Sequence, residues 1–348
     1  MKNYFLECGY WPEQRQEEDG ENHLDAGGVS AVAVRRILVI FFCGIGDMVV
    51  FIPALEELGR FFGRARVSVM ASPPADQVLI HHPRVNAVFT IEALRRKNFL
   101  SRFDFIINLS GGDRKINDML RRSNVKHLLI KQRLFDKKYP FHASEYHLEL
   151  VKEIKALFDK PLVYLAGAER RAAIRYLRRI KLDPKKDLTI AVHPGAGNPR
   201  KNWDWRRFAK ACDLLTRDHG ATILLLSGPE ERELCLRIAR KSTGRIVVVQ
   251  EPLRLVAALL ECCALLIAND SGVMHLAAAV GVPVVCLFSA SVSQPDVWGP
   301  LADNHLVIYK GTHAAITVEE VMQGVRLLLR RKSKIQGQPP ARSSLYLI

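Results

Sequence analysis

The chain predicts an α/β protein of two consecutive doubly wound lobes, each a parallel sheet with crossover helices, and a cleft between them. Three observations carry this. The length of 348 residues suits about two domains, each able to bury its own core. Short continuous runs of Val, Ile, Leu and Phe recur along it, too apolar on both faces for half-exposed antiparallel strands. Those runs alternate with segments of helical spacing, first over residues 36–130 and again over 188–331. The composition, 48% hydrophobic and 25% charged, is globular and excludes a disordered, collagen-like or disulfide-built chain.

Taken in order, residues 36–43 read as a central strand, Gly44-Ile-Gly-Asp47 as a turn, and 48–62 as a helix. Residues 66–71, 87–90, 103–108 and 127–130 read as further strands, and 75–82 and 116–123 as helices. A mainly helical, basic stretch over 145–180 leads to Asp183-Pro-Lys-Lys-Asp187, a boundary between lobes. Beyond it the strands are 188–193, 222–227, 246–249, 264–269 and 284–288; the helices are 205–219, 230–241, 252–262, 272–280 and 318–331. The expected division is a polar, mobile extension (1–34), a first lobe with basic connecting helices (35–184), a second lobe (185–332) and a flexible tail (333–348). In such folds the site lies in the cleft, at the carboxyl ends of the strands.

Lys and Arg number 51 against 36 Asp and Glu, a net charge of +15 that favours phosphorylated or polyanionic partners. The excess is uneven: residues 1–34 hold two basic and seven acidic side chains, whereas 95–138 hold 13 basic ones against four Asp. No zinc-finger spacing, RNP aromatics or basic zipper accompanies the charge, so no specific nucleic-acid partner is expected. The seven cysteines are scattered, mostly in apolar sequence and without a C-x-x-C pair, and read as reduced core residues. The acidic N-terminus lacks a secretory pattern, and the longest apolar run, residues 37–53, is too short and interrupted to span a bilayer; a cytoplasmic location is expected.

Three strand-loop-helix junctions carry chemistry. In the first, Gly44 and Gly46 permit close approach after a buried strand, and the helix start offers N–H groups to an anion. Val49 stands where the dinucleotide fingerprint needs its third glycine, which disfavours a nicotinamide enzyme. Asp47 is suited to accept a proton from a hydroxyl, or to cap the helix. The second junction, His193-Pro-Gly195-Ala196-Gly197-Asn-Pro-Arg-Lys201-Asn-Trp203, couples loop amides to a lysine and suits a diphosphate. Lys201 reads either as a neutraliser of a departing diphosphate or as a solvated loop lysine, and Trp203 as a core plug. In the third, Asn269-Asp270-Ser271-Gly272-Val-Met-His275, a capped helix start can receive phosphate; His275 reads as a donor contact or a core histidine.

Together the three segments resemble glycosyltransferase family 9, the ADP-heptose:lipopolysaccharide heptosyltransferases. The shared patterns are G-x-G-D with Pro53-Ala-Leu in the next helix, H-P-G-A-G with K-x-W, N-D-S-G-x-M-H-L-A-A-A-x-G-V-P, and Trp298-Gly-Pro300. The resemblance covers roughly residues 35–330 and implies a GT-B fold, with the acceptor lobe first, the nucleotide-sugar lobe second, and inverting transfer of heptose from ADP-heptose. It further implies Asp47 as general base and Lys201 as stabiliser of the diphosphate. Gly46, Gly195, Ala196, Gly197, Asp270, Ser271, Gly272 and His275 fall to donor binding, with Glu231 on the donor ribose and Glu230 its competitor.

No D-x-D pair is present, so transfer is expected to need no metal or other cofactor. The partners implied are a nucleotide-sugar donor and an anionic glycolipid acceptor of lipopolysaccharide core or a related surface glycan, with peripheral contact to the cytoplasmic face of the inner membrane. The alternatives are a transferase or epimerase using another nucleotide sugar, and a non-catalytic nucleotide-sugar-binding protein. Ser289 to Asp296 departs from the family's usual G-P-T-D-P, and Asp204 from its proline.

Overall fold

A computed structural model describes residues 34–130, 142–144, 147, 160–334 and 345–347. The first lobe is a parallel sheet in the order β3-β2-β1-β4-β5. Its strands are β1 (Arg36–Ile40), β2 (Arg66–Met70), β3 (Val85–Phe89), β4 (Phe105–Asn108) and β5 (His127–Ile130). Side chains alternate across β1: Ile37 and Val39 face one core, Leu38 and Ile40 the other. Helices α1 (Ile45–Phe61) and α2 (Arg114–Arg121) flank it, while the β3–β4 crossover covers the sheet with 3-10 turns at Ile91–Arg95 and Leu100–Arg102.

The second lobe is a parallel sheet in the order β12-β11-β10-β9-β6-β7-β8. Its strands are β6 (Thr189–His193), β7 (Thr222–Leu226), β8 (Ile246–Val249), β9 (Leu266–Asn269), β10 (Val284–Ser289), β11 (His305–Lys310) and β12 (Leu345–Leu347). The helices are α3 (Gly167–Arg179), which joins the lobes, then α4 (Trp205–His219), α5 (Arg232–Lys241), α6 (Leu253–Glu261), α7 (Gly272–Ala279) and α8 (Val318–Lys334). One apolar core runs from β1 and α1 through α3 to α6 and α7, so the lobes share packing, each buried Leu or Ile contributing about 1.5–3 kcal/mol.

Several elements differ from expectation. α1 begins at Ile45 because the Met48 N–H bonds the Gly44 carbonyl at 3.0 Å, which places Gly46 and Asp47 inside the first turn and not in a preceding loop. The expected helix over 75–82 is a 3-10 helix, Ala75–Leu79, ended where Ile80 turns extended. Of the helical stretch over 145–180, most of 145–159 lies outside the described residues, and 160–166 is not helical. β11 was not anticipated. Residues 345–347, assigned to the tail, form β12 against β11. The extension over 1–33 lies outside the described residues.

Arg254 fastens the joint between lobes. From α6 its Nε and Nη2 bond both Glu169 oxygens at 2.7 and 2.8 Å, and it donates to the carbonyls of Tyr164 and, in the first lobe, Gln77. The Arg254 hydrogen bonds hold the Glu169 carboxyl below its usual range. Arg254→Ala removes the main partner of a half-buried carboxylate that keeps the Ala166 N–H, so urea unfolding should show a loss of about 1.5–3 kcal/mol.

Candidate active site

In each sheet the chain reverses direction at one strand pair, β1/β4 in the first lobe and β6/β9 in the second. Loops after these strands diverge and leave an opening at their carboxyl ends. All three chemistry-bearing junctions sit there: Asp47 follows β1, the glycine loop follows β6, and Asp270 follows β9.

Across the cleft the starts of α1 and α7 meet. A Cβ on Gly46 would lie 2.8 Å from Cδ2 of His275, and one on Gly272 would lie 2.9 Å from Cβ of Ile45. Only residues without a Cβ permit this approach. Neither helix start has a side-chain cap bond, since Gly44 has no side chain and the Ser271 hydroxyl turns elsewhere. First-turn N–H groups have no intrahelical acceptor, and each helix start carries roughly half a positive charge. Asp47 lies in the first turn of α1, three residues past Gly44, which holds the N-cap position; its Oδ2 lies 3.5 Å from where a Cβ on Gly44 would be.

Lys201 reaches Asp270, its Nζ 2.7 Å from Oδ2, and is no solvated loop lysine. The loop between them is held by Asn269, wholly buried, whose Oδ1 accepts the Trp203 N–H at 3.1 Å and whose Nδ2 donates to the Pro194 carbonyl at 2.8 Å. Trp203 itself plugs the core, edge-on to Phe208, with its indole N–H on the Ile316 carbonyl. Lys201 is thereby fixed between two rigid attachments.

His193, 4% exposed, links the second and third junctions. Its Nε2 lies 3.1 Å from Glu231 Oε2, and a carboxylate only accepts, so Nε2 donates; Nδ1 lies 3.2 Å from the Ser271 hydroxyl, a group able to donate or accept. Glu231 also accepts the Gly228 N–H at 2.8 Å and fills the space over Gly195, where a Cβ would fall 1.7 Å from Oε1. Burial pushes its carboxyl up, but His193 and the Gly228 amide outweigh that and hold it low, as the ionised acceptor. Glu230 is exposed, so Glu231 is the carboxylate at the site. Ala196 is half-buried, and Gly197 is exposed with open space around it.

His275 is buried, and desolvation pushes its pKa down to about 4, against the opposing pull of Asp270 and Asp47. The ring is neutral at pH 7. Two further histidines, absent from the sequence expectation, border the cluster. His142 places Nε2 2.9 Å from the Gly299 carbonyl across the cleft, and burial lowers its pKa; His313, on the turn after β11, is buried within reach of the charges of Asp270 and Lys201. Neither lies in a glycine-rich loop, the signal by which the other junctions are found.

Two parallel-sheet lobes, with helix starts converging on a lysine–aspartate pair, define a protein built to hold an anionic ligand in an interlobe cleft. Residues 120–324 match the model of glycosyltransferase family 9 (heptosyltransferase), and the chain belongs to that family and is a glycosyltransferase. Lipopolysaccharide heptosyltransferase 3 of Escherichia coli K12 is 25% identical over 304 residues, 77% of this chain and 86% of that protein. Among solved structures, a family 9 glycosyl transferase from Veillonella parvula superposes with a TM-score of 0.75 at 22% identity, covering 85% of this chain and 97% of that one. The E. coli ADP-heptose lipopolysaccharide heptosyltransferase II does so with a TM-score of 0.73 at 22% identity, covering 86% and 99%. The shared fold is the two-lobed GT-B arrangement.

The neutral His275 carries a stability signature. Its folded pKa of about 4 lies below the unfolded value of 6.5, so between these the unfolded chain binds more protons and stability falls as pH falls. Its share, on the order of 3 kcal/mol, is present above pH 6.5 and gone below about 4. Denaturant titrations at several pH values should show a shallower decline over this window for His275→Gln than for the parent chain.

Proposed function

We propose that this enzyme transfers heptose from ADP-heptose, with inversion, to a phosphorylated glycolipid of lipopolysaccharide core or a related surface glycan. The observation that carries the reading is the placement of Asp47 and the Lys201–Asp270 pair on opposite lobes of one cleft, with helix starts between them. The donor named for the E. coli relative supports the choice of nucleotide sugar. In this reading the first lobe presents the acceptor and the second holds the donor.

The acceptor hydroxyl oxygen attacks the anomeric carbon from one side as the bond to the diphosphate breaks on the other. Asp47 takes the hydroxyl proton. The departing diphosphate carries the negative charge toward Lys201 and the amides of Gly272 and Val273. Glu231, ionised and steadied by His193, accepts hydrogen bonds from the ribose, while Gly195, Ala196 and Gly197 offer backbone contacts. Gly46 and His275 close the wall beside the sugar. Charge neutralisation by Lys201 and helix amides supports transfer without a metal cofactor. The same reading puts the reaction on the cytoplasmic face of the inner membrane; no described helix is long and apolar enough to cross a membrane.

Calorimetric titration with ADP, UDP and GDP, with and without Mg²⁺, should show selective, metal-independent ADP binding; a preference for UDP or GDP removes ADP-heptose as donor. Asp47→Asn should lower transfer by about 10²–10⁴-fold while leaving ADP affinity within twofold. Normal transfer by that variant sinks the assignment of the base.

A further inference from the structure

A second concave surface lies on the outer face of the first lobe, between the β3–β4 crossover and α2. It encloses about 690 Å³. Its apolar lining includes Leu94, Phe99 and Met119, and its cationic lining Arg96, Lys115 and Arg122. Over residues 91–126 nine Lys and Arg side chains, every one exposed, face four acids. Two of those acids serve the backbone: Asp104 accepts from the Arg35 and Arg36 N–H groups, and Asp113 caps α2 through Lys115 and Ile116. None of Arg96, Lys115 and Arg122 pairs with a described carboxylate. Large apolar side chains stand exposed beside this charge, Met119 at 39% and Ile91 at 46%.

We propose that this groove docks the enzyme on an anionic phospholipid bilayer, the three cations on lipid phosphates and Met119 with Leu94 in the layer beneath. Cations alone would suit any polyanion, but exposed apolar side chains among them match the junction of headgroups and acyl chains. The placement is fixed. The buried Asn108 Nδ2 donates to Asn117 Oδ1 at 2.8 Å, tying α2 to β4, and the Phe42 N–H donates to Ser110 Oγ at 2.7 Å, tying the β4–α2 loop to the segment between β1 and α1. A bilayer against the groove therefore meets the lobe whose strand ends open into the cleft. The surface stands apart from the donor reading, since vesicle binding requires no nucleotide.

The test is co-sedimentation of the full chain with vesicles of phosphatidylcholine alone and with roughly one-third phosphatidylglycerol. Binding to the anionic vesicles only, weakening with salt, is expected. The combined Arg96→Glu, Lys115→Glu and Arg122→Glu variant should lose about 100-fold or more in vesicle affinity, each cation being worth about a factor of five. Its ADP affinity should not change. Met119→Asp should weaken binding several-fold with the cations intact. The matched reversal Arg171→Glu, Arg175→Glu and Arg178→Glu on the exposed side of α3 should leave most vesicle binding in place. Equal loss in both triple variants would reduce the effect to net charge and overturn the docking groove, as would absence of vesicle binding or capture of RNA in its stead.

Discussion

Gly46 and Gly272 let two helix starts touch, and the site is arranged around the charge that this contact concentrates. Helix starts of like sign repel, and Lys201 adds a full positive charge nearby. The positive charge is offset by Asp47 in the first turn of one helix and by Asp270, paired with Lys201, just before the other, and a continuous apolar core holds the lobes together. His275 at the contact is neutral because burial removes the water that a charged ring would need, in spite of the pull of Asp270 and Asp47.

The polar groups behind the cleft are placed by buried amides and not by long flexible side chains. Asn269 uses both ends of its amide to fix the Lys201 loop to β9, and Asn108 does the same for the loop between β4 and α2. Each such residue gives up little rotamer freedom and satisfies backbone groups that would otherwise be buried without partners. His193 extends the principle by joining Glu231, before α5, to Ser271, before α7.

Much of this was legible in the sequence where a single physical signal decided the structure. Parallel strands betray themselves by being apolar on both faces, and α4 runs over the predicted residues because Asp204 caps it and Gly220 ends it in the left-handed region. The glycine-rich junctions were found because close approach demands them. What escaped depends on contacts distant in the chain. His142 meets Gly299 only once the lobes are assembled, His313 comes beside Asp270 and Lys201 only through the folding of the second lobe, and β12 exists by virtue of β11. The outer groove is formed by 3-10 turns with no strong period, so only its charge could be read beforehand.

Arg254 grips Gln77 and Tyr164 by their carbonyl oxygens, which every amino acid possesses. These two bonds therefore depend on the course of the chain at positions 77 and 164, although the Tyr164 ring also packs edge-on against His82 of the first lobe. Replacing the side chain at either position leaves those acceptors in place, whereas the pair of hydrogen bonds to Glu169 is lost with its carboxylate.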